Sequence, residues 1–381
     1  MNLRYPPEAE AFRVELRAWL DANLPAGLSS QTEQLERGSA ALEQLRAWNR
    51  TLADAGYAAL SWPVEYGGRG ATLMEQIVFN EEMDRAQAPG PVNIIGMPNI
   101  APAIMQWGTE EQKVQFLPRM LRGDDIWCQG MSEPNAGSDL ASLQCRAVLD
   151  GDVFVINGQK TWNTFGHLAD WCQLYVRTDT SVPKHKGISC LLVDISSPGV
   201  EVRPLVTITG DPGFSELFFT EVRVPSSALL GPLNEGWKVA TTTLAHERAG
   251  VAKLHLALRR GARELIDAAR ATGAADDPVI RQKLARVYLE AEYLKLLADR
   301  AISGQLHGRP LGPEGSVAKL VWADVQNLLA EVSSEVFGPD GWTDDNGMRR
   351  VSVRSVSIAG GTTQVNKNIV AQRVLGMPRG L

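Results

Sequence analysis

The sequence lacks the features that mark several familiar protein classes. Its four cysteines, Cys128, Cys145, Cys172 and Cys190, form no C-x-x-C pair, so neither a zinc site nor a disulfide framework is predicted. No apolar run approaches the ~18–20 residues that a membrane-spanning helix needs. The first residues contain no apolar segment of the kind found in secretory signals. We therefore expect a cytoplasmic protein with no metal and no membrane span.

The chain also lacks an excess of positive charge. Its 38 basic and 44 acidic side chains give a net charge of −6, which argues against a nucleic-acid partner. No G-x-G-x-x-G follows a strand and no G-x-x-x-x-G-K-[ST] occurs, so Rossmann and P-loop chemistry are not indicated. The 381 residues, 44% of them hydrophobic, predict a folded protein of two or three domains.

A helical period dominates up to residue 122. Phe12, Leu16, Trp19 and Leu20 recur at three- and four-residue steps, which places them on one helix face. Two further helix starts are predicted by capping-box spacing, Thr72-x-x-Glu75 and Thr109-x-x-Gln112.

The middle of the chain has the alternating period of β-strands. The apolar run that begins at Val153 leads into Asn157-Gly158, a dipeptide typical of tight turns. The regular spacing of the strands predicts an antiparallel barrel or sandwich. The predicted strands cover residues 153–156, 174–176, 187–193, 200–203 and 217–224.

The helical period returns after Gly236 in longer segments. Asp277-Pro278 predicts a helix start with proline in the first turn. Apolar faces on the long central helices predict a four-helix bundle. The predicted helices cover residues 237–271, 278 onward, 316–337 and 363–375.

Two segments at the start of the β region are candidate ligand sites. Residues 130–139 are rich in hydroxyl and turn residues, whose NH groups and hydroxyls can bind a polar ligand. The alternative is a domain-junction loop. In residues 159–164, Trp162 can stack on a planar cofactor while Thr164 donates to a ring nitrogen, although a tryptophan at a strand end more often packs in the core. Residues 184–186, Lys-His-Lys, indicate a solvated hairpin tip or a phosphate contact.

Two further candidates lie in the C-terminal helical region. Glu247 follows Leu244 by three residues, so it lies on or beside the apolar stripe of its helix. A carboxylate there suits a general base facing a cavity, or else an ion pair with Arg248 or a neighbour. Residues 358–364 place two glycines before a helix, which suits an anion or an oxyanion. The alternative is an ordinary glycine turn with Thr362 or Thr363 as the N-cap.

Taken in order, these segments resemble the acyl-CoA dehydrogenase family over nearly the whole chain. Residues 130–139 fit the family's first signature, and residues 155–164, 221–225 and 360–364 resemble family segments in the same order. The resemblance implies an α+β multidomain fold with an N-terminal helical domain, a middle antiparallel β-barrel domain and a C-terminal four-helix bundle. The corresponding bounds are 1–122, 123–230 and 231–381.

The resemblance further implies FAD-dependent α,β-dehydrogenation of an acyl-CoA thioester, with electrons passing to an electron-transfer flavoprotein. A carboxylate removes the α-proton, and the β-hydrogen leaves as hydride to flavin N5. Ser138 borders the acyl-CoA path beside the cofactor, and the backbone NH of Gly360 meets the enolate charge. The flavin contacts implied are Met131, Ser132, Trp162, Thr164, Thr362 and Gln364.

The catalytic base is implied by a departure from the commoner family pattern. Many members carry it in a Tyr-Glu-Gly-Thr segment, where this chain has Gly360 at the glutamate position. Glycine cannot abstract a proton. Other members carry the glutamate on the first bundle helix, and Glu247 occupies that position. The following Arg248 is expected to bind substrate and orient the site.

A second departure concerns the FAD pyrophosphate. The family's Arg-x-[Gln/Thr]-Phe-Gly segment is absent between the two long helices, and Arg281 is the nearest later candidate. Glu335 near a pyrophosphate would be unfavourable. The pattern resembles actinobacterial members that pair two unlike subunits for sterol-derived thioesters.

Assembly and reaction therefore have alternatives. The chain is expected to form a homodimer or homotetramer, or a heteromer with a second acyl-CoA dehydrogenase-like chain. In the heteromer it is a partner subunit with an incomplete FAD site. An acyl-CoA oxidase, or a dehydrogenase of carrier-protein thioesters, is the other alternative.

Overall fold

The computed structural model describes residues 5–29, 35, 37–249, 253–309, 312–342 and 345–378, without the side chains of 247–249, 345 and 346. The chain divides into two compact units, Met1–His246 and Glu247–Leu381. Each unit has buried apolar clusters of its own.

The first unit begins with five α-helices. The two predicted capping boxes are confirmed, since Thr72 and Thr109 each accept the amide of the third helical residue and are bonded in return by Glu75 and Gln112. The predicted apolar face of α1 is also confirmed, with Phe12, Leu16 and Leu20 buried. The helices are α1 Pro7–Asn23, α2 Ala40–Asp54, α3 Leu73–Arg85, α4 Ala101–Trp107 and α5 Glu110–Arg122.

A seven-stranded sheet follows. Its pairs are antiparallel as predicted except that β4 lies parallel to both β1 and β2. Alternate residues of β1 lie in different buried clusters. Trp127 belongs to the cluster formed mainly by helical residues, and Cys128 belongs to the cluster formed mainly by strand residues. The strands are β1 Trp127–Gly130, β2 Arg146–Asp150, β3 Val153–Thr164, β4 Trp171–Arg177, β5 Ile188–Asp194, β6 Val200–Leu205 and β7 Phe214–Pro225.

The tight turn predicted at Asn157-Gly158 is wrong. Strand β3 continues through both residues, with a register shift against β7 at this point. Gly158 has φ +151°, and a Cβ there would lie 2.7 Å from the Cα of Cys145, so glycine is needed for close approach within a bulge. The turn lies earlier, at Gly151 with φ +64°.

Helix α6, Gly236–Ala249, is followed by the helices of the second unit. The single helix predicted for 237–271 is described as two, with residues 250–252 outside the described part. The predicted start at Pro278 is confirmed, because Asp277 caps it by accepting the Val279 amide at 2.7 Å. The helices are α7 Leu254–Thr272, α8 Pro278–Leu306, α9 Gly315–Phe337, α10 Asp345–Ser352 and α11 Thr363–Ile369.

The C-terminal region is therefore helical, as predicted, with α7, α8 and α9 packed on one another. A π-helical turn, Val370–Val374, continues α11 through most of the last predicted helix. Within the described ranges, none of the helices is both long and apolar enough to cross a bilayer. The domain bounds expected from the sequence stay a prediction.

Candidate functional site

The loop of residues 130–139 is held from inside by a buried ion pair. The Lys160 ammonium, with a fully buried side chain, lies 2.8 Å from the Glu133 carboxylate and donates to the Met131 carbonyl at 3.0 Å. Glu133 also accepts the amides of Gln144 at 2.6 Å and Cys145 at 2.8 Å. A buried charge left without its partner costs about 3–5 kcal/mol, so these contacts fix the loop against β3.

Strand β3 bulges where it meets this loop. The Thr161 amide donates to the Ser132 carbonyl at 2.9 Å, and the register with β7 shifts between Lys160 and Asn163. Trp162, inside the bulge, has φ +61°. Such a conformation costs a non-glycine residue about 1–3 kcal/mol and is concentrated at functional sites.

The indole of Trp162 is 57% exposed, so the alternative that this tryptophan packs in the core is wrong. Its one ring neighbour among the described residues is Phe214, edge-on at 5.6 Å. The next residue, Asn163, is buried and donates to the Gln129 carbonyl at 2.5 Å. Its Oδ1 has no partner within the described chain.

The structure thus brings four of the sequence-predicted residues together. Met131 and Ser132 are bonded through their carbonyls to Lys160 and Thr161, which directly precede Trp162, and the half-buried Thr164 ends the same strand. An exposed indole held in place by a strained backbone fits a planar aromatic group that stacks on it. The residues present therefore fit a flavin ring. Sequence reasoning missed Asn163 and the Lys160–Glu133 pair.

The outer arm of the loop is exposed at Ser138 and Asp139. Lys184 lies 2.7 Å from the Asp139 carboxylate, and this bond, with one from Ser142, holds the pKa of Asp139 below its ordinary value. The Lys184–Asp139 ion pair therefore connects residues 184–186 to the loop of residues 130–139. His185 also packs edge-on against Trp237 at 4.6 Å.

In the second unit, residues 358–364 form a turn before α11. Gly360 and Gly361 have φ +63° and +87°, a conformation that favours glycine. Thr362 caps α11 by accepting the Val365 amide at 3.1 Å, so the N-cap interpretation is confirmed for Thr362. Gln364, two residues later, is exposed.

Arg281 and Glu335, the two charged residues discussed above for the FAD pyrophosphate, each bond to other groups of the protein. Arg281 donates to the carbonyls of Ala275 at 3.0 Å and Asp276 at 2.8 Å, which ties the α7–α8 connection. Glu335 lies 2.6 Å from the Lys283 ammonium, so its negative charge is compensated.

Glu247 and Arg248 belong to α6, but their side chains lie outside the described part of the structure. Their assignment as base and orienting residue stays a prediction. No group of three metal-ligating side chains occurs among the described residues.

A pocket of about 670 Å³ opens beside β4 in the first unit. Its charged lining comprises two arginines and four aspartates, and Asp125 and Asp170 are paired with Arg119 and Arg37 at 2.7 and 3.0 Å. The excess of carboxylates disfavours phosphate-bearing ligands. We therefore do not place the cofactor there.

Family models match three consecutive parts of the chain. Residues 6–124 match "Acyl-CoA dehydrogenase, N-terminal domain", residues 128–222 the middle domain, and residues 234–375 the C-terminal domain.

Curated proteins and solved structures give the same result. "Acyl-CoA dehydrogenase IpdE1" of Mycobacterium tuberculosis is 40% identical, covering 98% of each chain. A solved structure described as "Tcur3481-Tcur3483 steroid ACAD" is 33% identical, covers 100% of each chain and has a TM-score of 0.88. The "ChsE4-ChsE5 complex from Mycobacterium tuberculosis" is 32% identical, again covers 100% of each chain and has a TM-score of 0.82.

Proposed function

The chain belongs to the acyl-CoA dehydrogenase family, and from this premise we propose that it uses FAD and Glu247 to introduce an α,β double bond into an acyl-CoA thioester. The observation that carries the cofactor assignment is the strained, exposed Trp162, placed beside the loop that contains Met131 and Ser132. Strained backbone conformations are concentrated at ligand-binding and active sites, where they position a functional side chain.

Each proposed residue has a separate task. Met131 and Ser132 bond the flavin edge, Trp162 stacks on the ring, and Thr164 donates to it. FAD bound there supplies a hydride acceptor for the β-hydrogen. Thr362 and Gln364 also contact the cofactor.

Glu247 removes the α-proton, and Arg248 orients the substrate. The backbone NH of Gly360 donates to the thioester oxygen as negative charge develops, an interaction typically worth a few kcal/mol in the transition state. Ser138 borders the acyl-CoA path. An electron-transfer flavoprotein then accepts the electrons.

Both proposed ligands are polyanions, whereas the chain carries a net charge of −6. Binding must therefore depend on local NH groups and a few cations. Lys184 contributes by neutralising Asp139 beside Ser138.

The decisive substitution is Glu247→Gln, which removes the base while keeping the side chain's size. We expect folded, yellow protein whose turnover falls at least ~100-fold, because general-base catalysis typically contributes 10²–10⁴. Glu264→Gln, on the exposed side of α7, is the matched control and keeps full activity. Full dehydrogenase activity in the Glu247 variant rejects the assignment.

A second candidate function is that of one subunit in a two-chain dehydrogenase. It is favoured by the absent pyrophosphate segment and by Arg281, whose guanidinium is engaged with two backbone carbonyls. The visible spectrum of the purified chain tests it. Stoichiometric flavin with activity in the chain alone excludes it, whereas flavin retained only after co-expression with a homologous chain supports it.

A further inference from the structure

The connection between β6 and β7 presents two apolar side chains to solvent, Val206 and Ile208, which we call the apolar tip. Ile208, 84% exposed, is the most exposed large apolar side chain of the described residues, and Val206 is 65% exposed. Other strongly exposed valines, such as Val14 and Val114, are single side chains on helices. Apolar side chains scattered singly over a surface are ordinary, whereas neighbouring ones mark a candidate contact with another molecule.

The pattern of this connection is the reverse of an ordinary surface loop. The two apolar side chains alternate with Thr207 and Thr209, which are half-buried and lie with their hydroxyl oxygens 2.8 Å apart. In a loop that contacts only water, the favourable arrangement buries the apolar side chains and exposes the threonines. The arrangement seen leaves apolar surface in water, and it becomes favourable when a partner covers that surface.

Hydrogen bonds give the apolar tip a defined shape. The Gly210 amide donates to the Thr207 carbonyl at 2.9 Å, and the Thr207 amide donates to the Asp211 carbonyl at 3.1 Å. Gly210 has φ +78°, a left-handed conformation that glycine adopts without strain. The tip is therefore an ordered turn, which loses less conformational entropy on contact with a partner than an open loop would.

The apolar tip lies at the same end of the sheet as Trp162. At the base of the tip, Leu205 of β6 pairs with Phe214 of β7, which pairs in turn with Thr164 of β3. Phe214 is also the ring neighbour of Trp162, at 5.6 Å. Two strand spacings of about 5 Å each therefore separate the base of the tip from the strand that carries the proposed flavin contact.

This position and the small size of the tip fit a protein that accepts electrons. Such a protein has to dock near the proposed flavin, because the rate of electron transfer falls steeply with distance. Complexes between redox proteins bury little surface, commonly less than about 1,200 Å² in total. A permanent complex with a second copy of this chain would bury about 2,000 Å² or more, which requires a far larger apolar face than two side chains.

The charge around the tip determines which kind of surface it fits. Residues 200–221, the β6–β7 hairpin, contain four carboxylates and one basic side chain, Arg203, which is paired with one of them. The carboxylates are Glu201, Asp211, Glu216 and Glu221. A second copy in a symmetric contact would bring these carboxylates against themselves, and an anionic membrane would repel them. A protein whose apolar pocket is surrounded by lysines or arginines is complementary.

We propose that the apolar tip, with the acidic β6–β7 hairpin around it, is the docking contact for the electron-transfer flavoprotein that reoxidises this enzyme. Val206 and Ile208 enter an apolar pocket of this carrier protein, and basic side chains of the carrier face Asp211. The carrier is reduced by the two electrons that each dehydrogenation releases, and the protons leave to solvent. The inference rests on the proposed dehydrogenase function and specifies where its electrons leave the protein.

The test measures binding and turnover of the holoenzyme with the electron-transfer flavoprotein of the same organism. Val206→Ser combined with Ile208→Ser removes the apolar contact from an exposed turn, so the fold is kept. We expect the dissociation constant, measured by surface plasmon resonance, and the KM for the carrier to rise about 10- to 100-fold. Turnover with a ferrocenium salt as the acceptor stays within about twofold, because a small oxidant needs no docking contact.

Three further variants separate docking from a general effect of surface changes. Val114→Ser, which removes a similarly exposed valine from α5, leaves the dissociation constant unchanged. Ile208→Leu keeps the tip apolar and retains most of the affinity. Asp211→Asn weakens binding at low salt and makes the affinity less dependent on ionic strength.

Four other outcomes overturn the inference. An unchanged dissociation constant in the double variant means that the carrier docks elsewhere. A change in oligomeric state, measured by analytical ultracentrifugation, means that the tip is a contact between subunits. If the carrier neither binds the unsubstituted enzyme nor accepts its electrons while turnover with ferrocenium proceeds, this partner is excluded but the dehydrogenase function stands. If no acyl-CoA thioester supports turnover with ferrocenium either, the proposed function fails and the inference fails with it.

Discussion

At the scale of single residues, Glu82 on α3 is a buried carboxylate surrounded by arginines. Burial alone would raise its pKa, but hydrogen bonds from Arg17, Arg85 and Arg13 lower the pKa to about 2. A lowered folded-state pKa contributes stability above the unfolded-state value, ordinarily 4.5. That contribution is lost as the pH falls from about 5 towards 2.

We expect Glu82→Gln to be less stable than the unsubstituted protein at pH 7 by about 1–2 kcal/mol, a value discounted because Arg17 and Arg85 are part-exposed. The difference should shrink as the pH approaches 3. Urea unfolding at several pH values measures it. Glu10→Gln, an exposed partner of Arg13, is the control and should change little. A difference that does not depend on pH would contradict the role of ionisation.

At the scale of elements, the capping box of α5 also joins the helix to the β region. Gln112 returns a bond to the Thr109 amide, and its Nε2 donates to the carbonyls of Ser227 at 2.8 Å and Leu229 at 3.0 Å. Thr109→Ala should cost about 1 kcal/mol as an ordinary cap loss. Gln112→Ala should cost about 2–3 kcal/mol, because it also leaves two carbonyls without a donor. Equal losses in thermal or urea unfolding would mean that the contacts to 227 and 229 contribute nothing.

The same elements show what sequence alone can predict. Helix starts such as Thr72 and Asp277 were predictable because cap and partner lie within three residues of each other. The role of Gly158 was not predictable, since β3 continues through this residue and the need for glycine there comes from Cys145, which directly precedes β2. The ion pair of Lys160 could not be predicted from the sequence, because its partner Glu133 is 27 residues away. The proposed site residues were assigned through resemblance and stay a prediction, whereas the strain at Trp162 required the structure.

At the scale of the whole molecule, the two units should unfold as separate transitions. Of the ten tryptophans, all but Trp322 and Trp342 belong to the first unit, so fluorescence reports mainly on that unit. We expect the fluorescence and far-UV circular dichroism curves in urea not to coincide.

Core substitutions assign the two transitions. Leu16→Ala should lower the free energy of unfolding measured by fluorescence by about 2–5 kcal/mol. Leu294→Ala should lower by a similar amount only the free energy of the transition seen by circular dichroism but not by fluorescence. Both leucines are almost fully buried in their own units. If the fluorescence and circular dichroism curves coincide, and if each substitution shifts both curves equally, the two units unfold in one cooperative transition and the prediction is wrong.

The buried Lys160 ammonium has a consequence for chemical labelling. An amine-reactive reagent can modify this lysine only when the loop of residues 130–139 releases it, because the side chain is fully enclosed and paired with Glu133. Its rate of modification, followed by peptide mass spectrometry, therefore measures how often the loop opens. A bound flavin that rests on Met131 and Ser132 should slow that rate, which makes one lysine a reporter of cofactor occupancy.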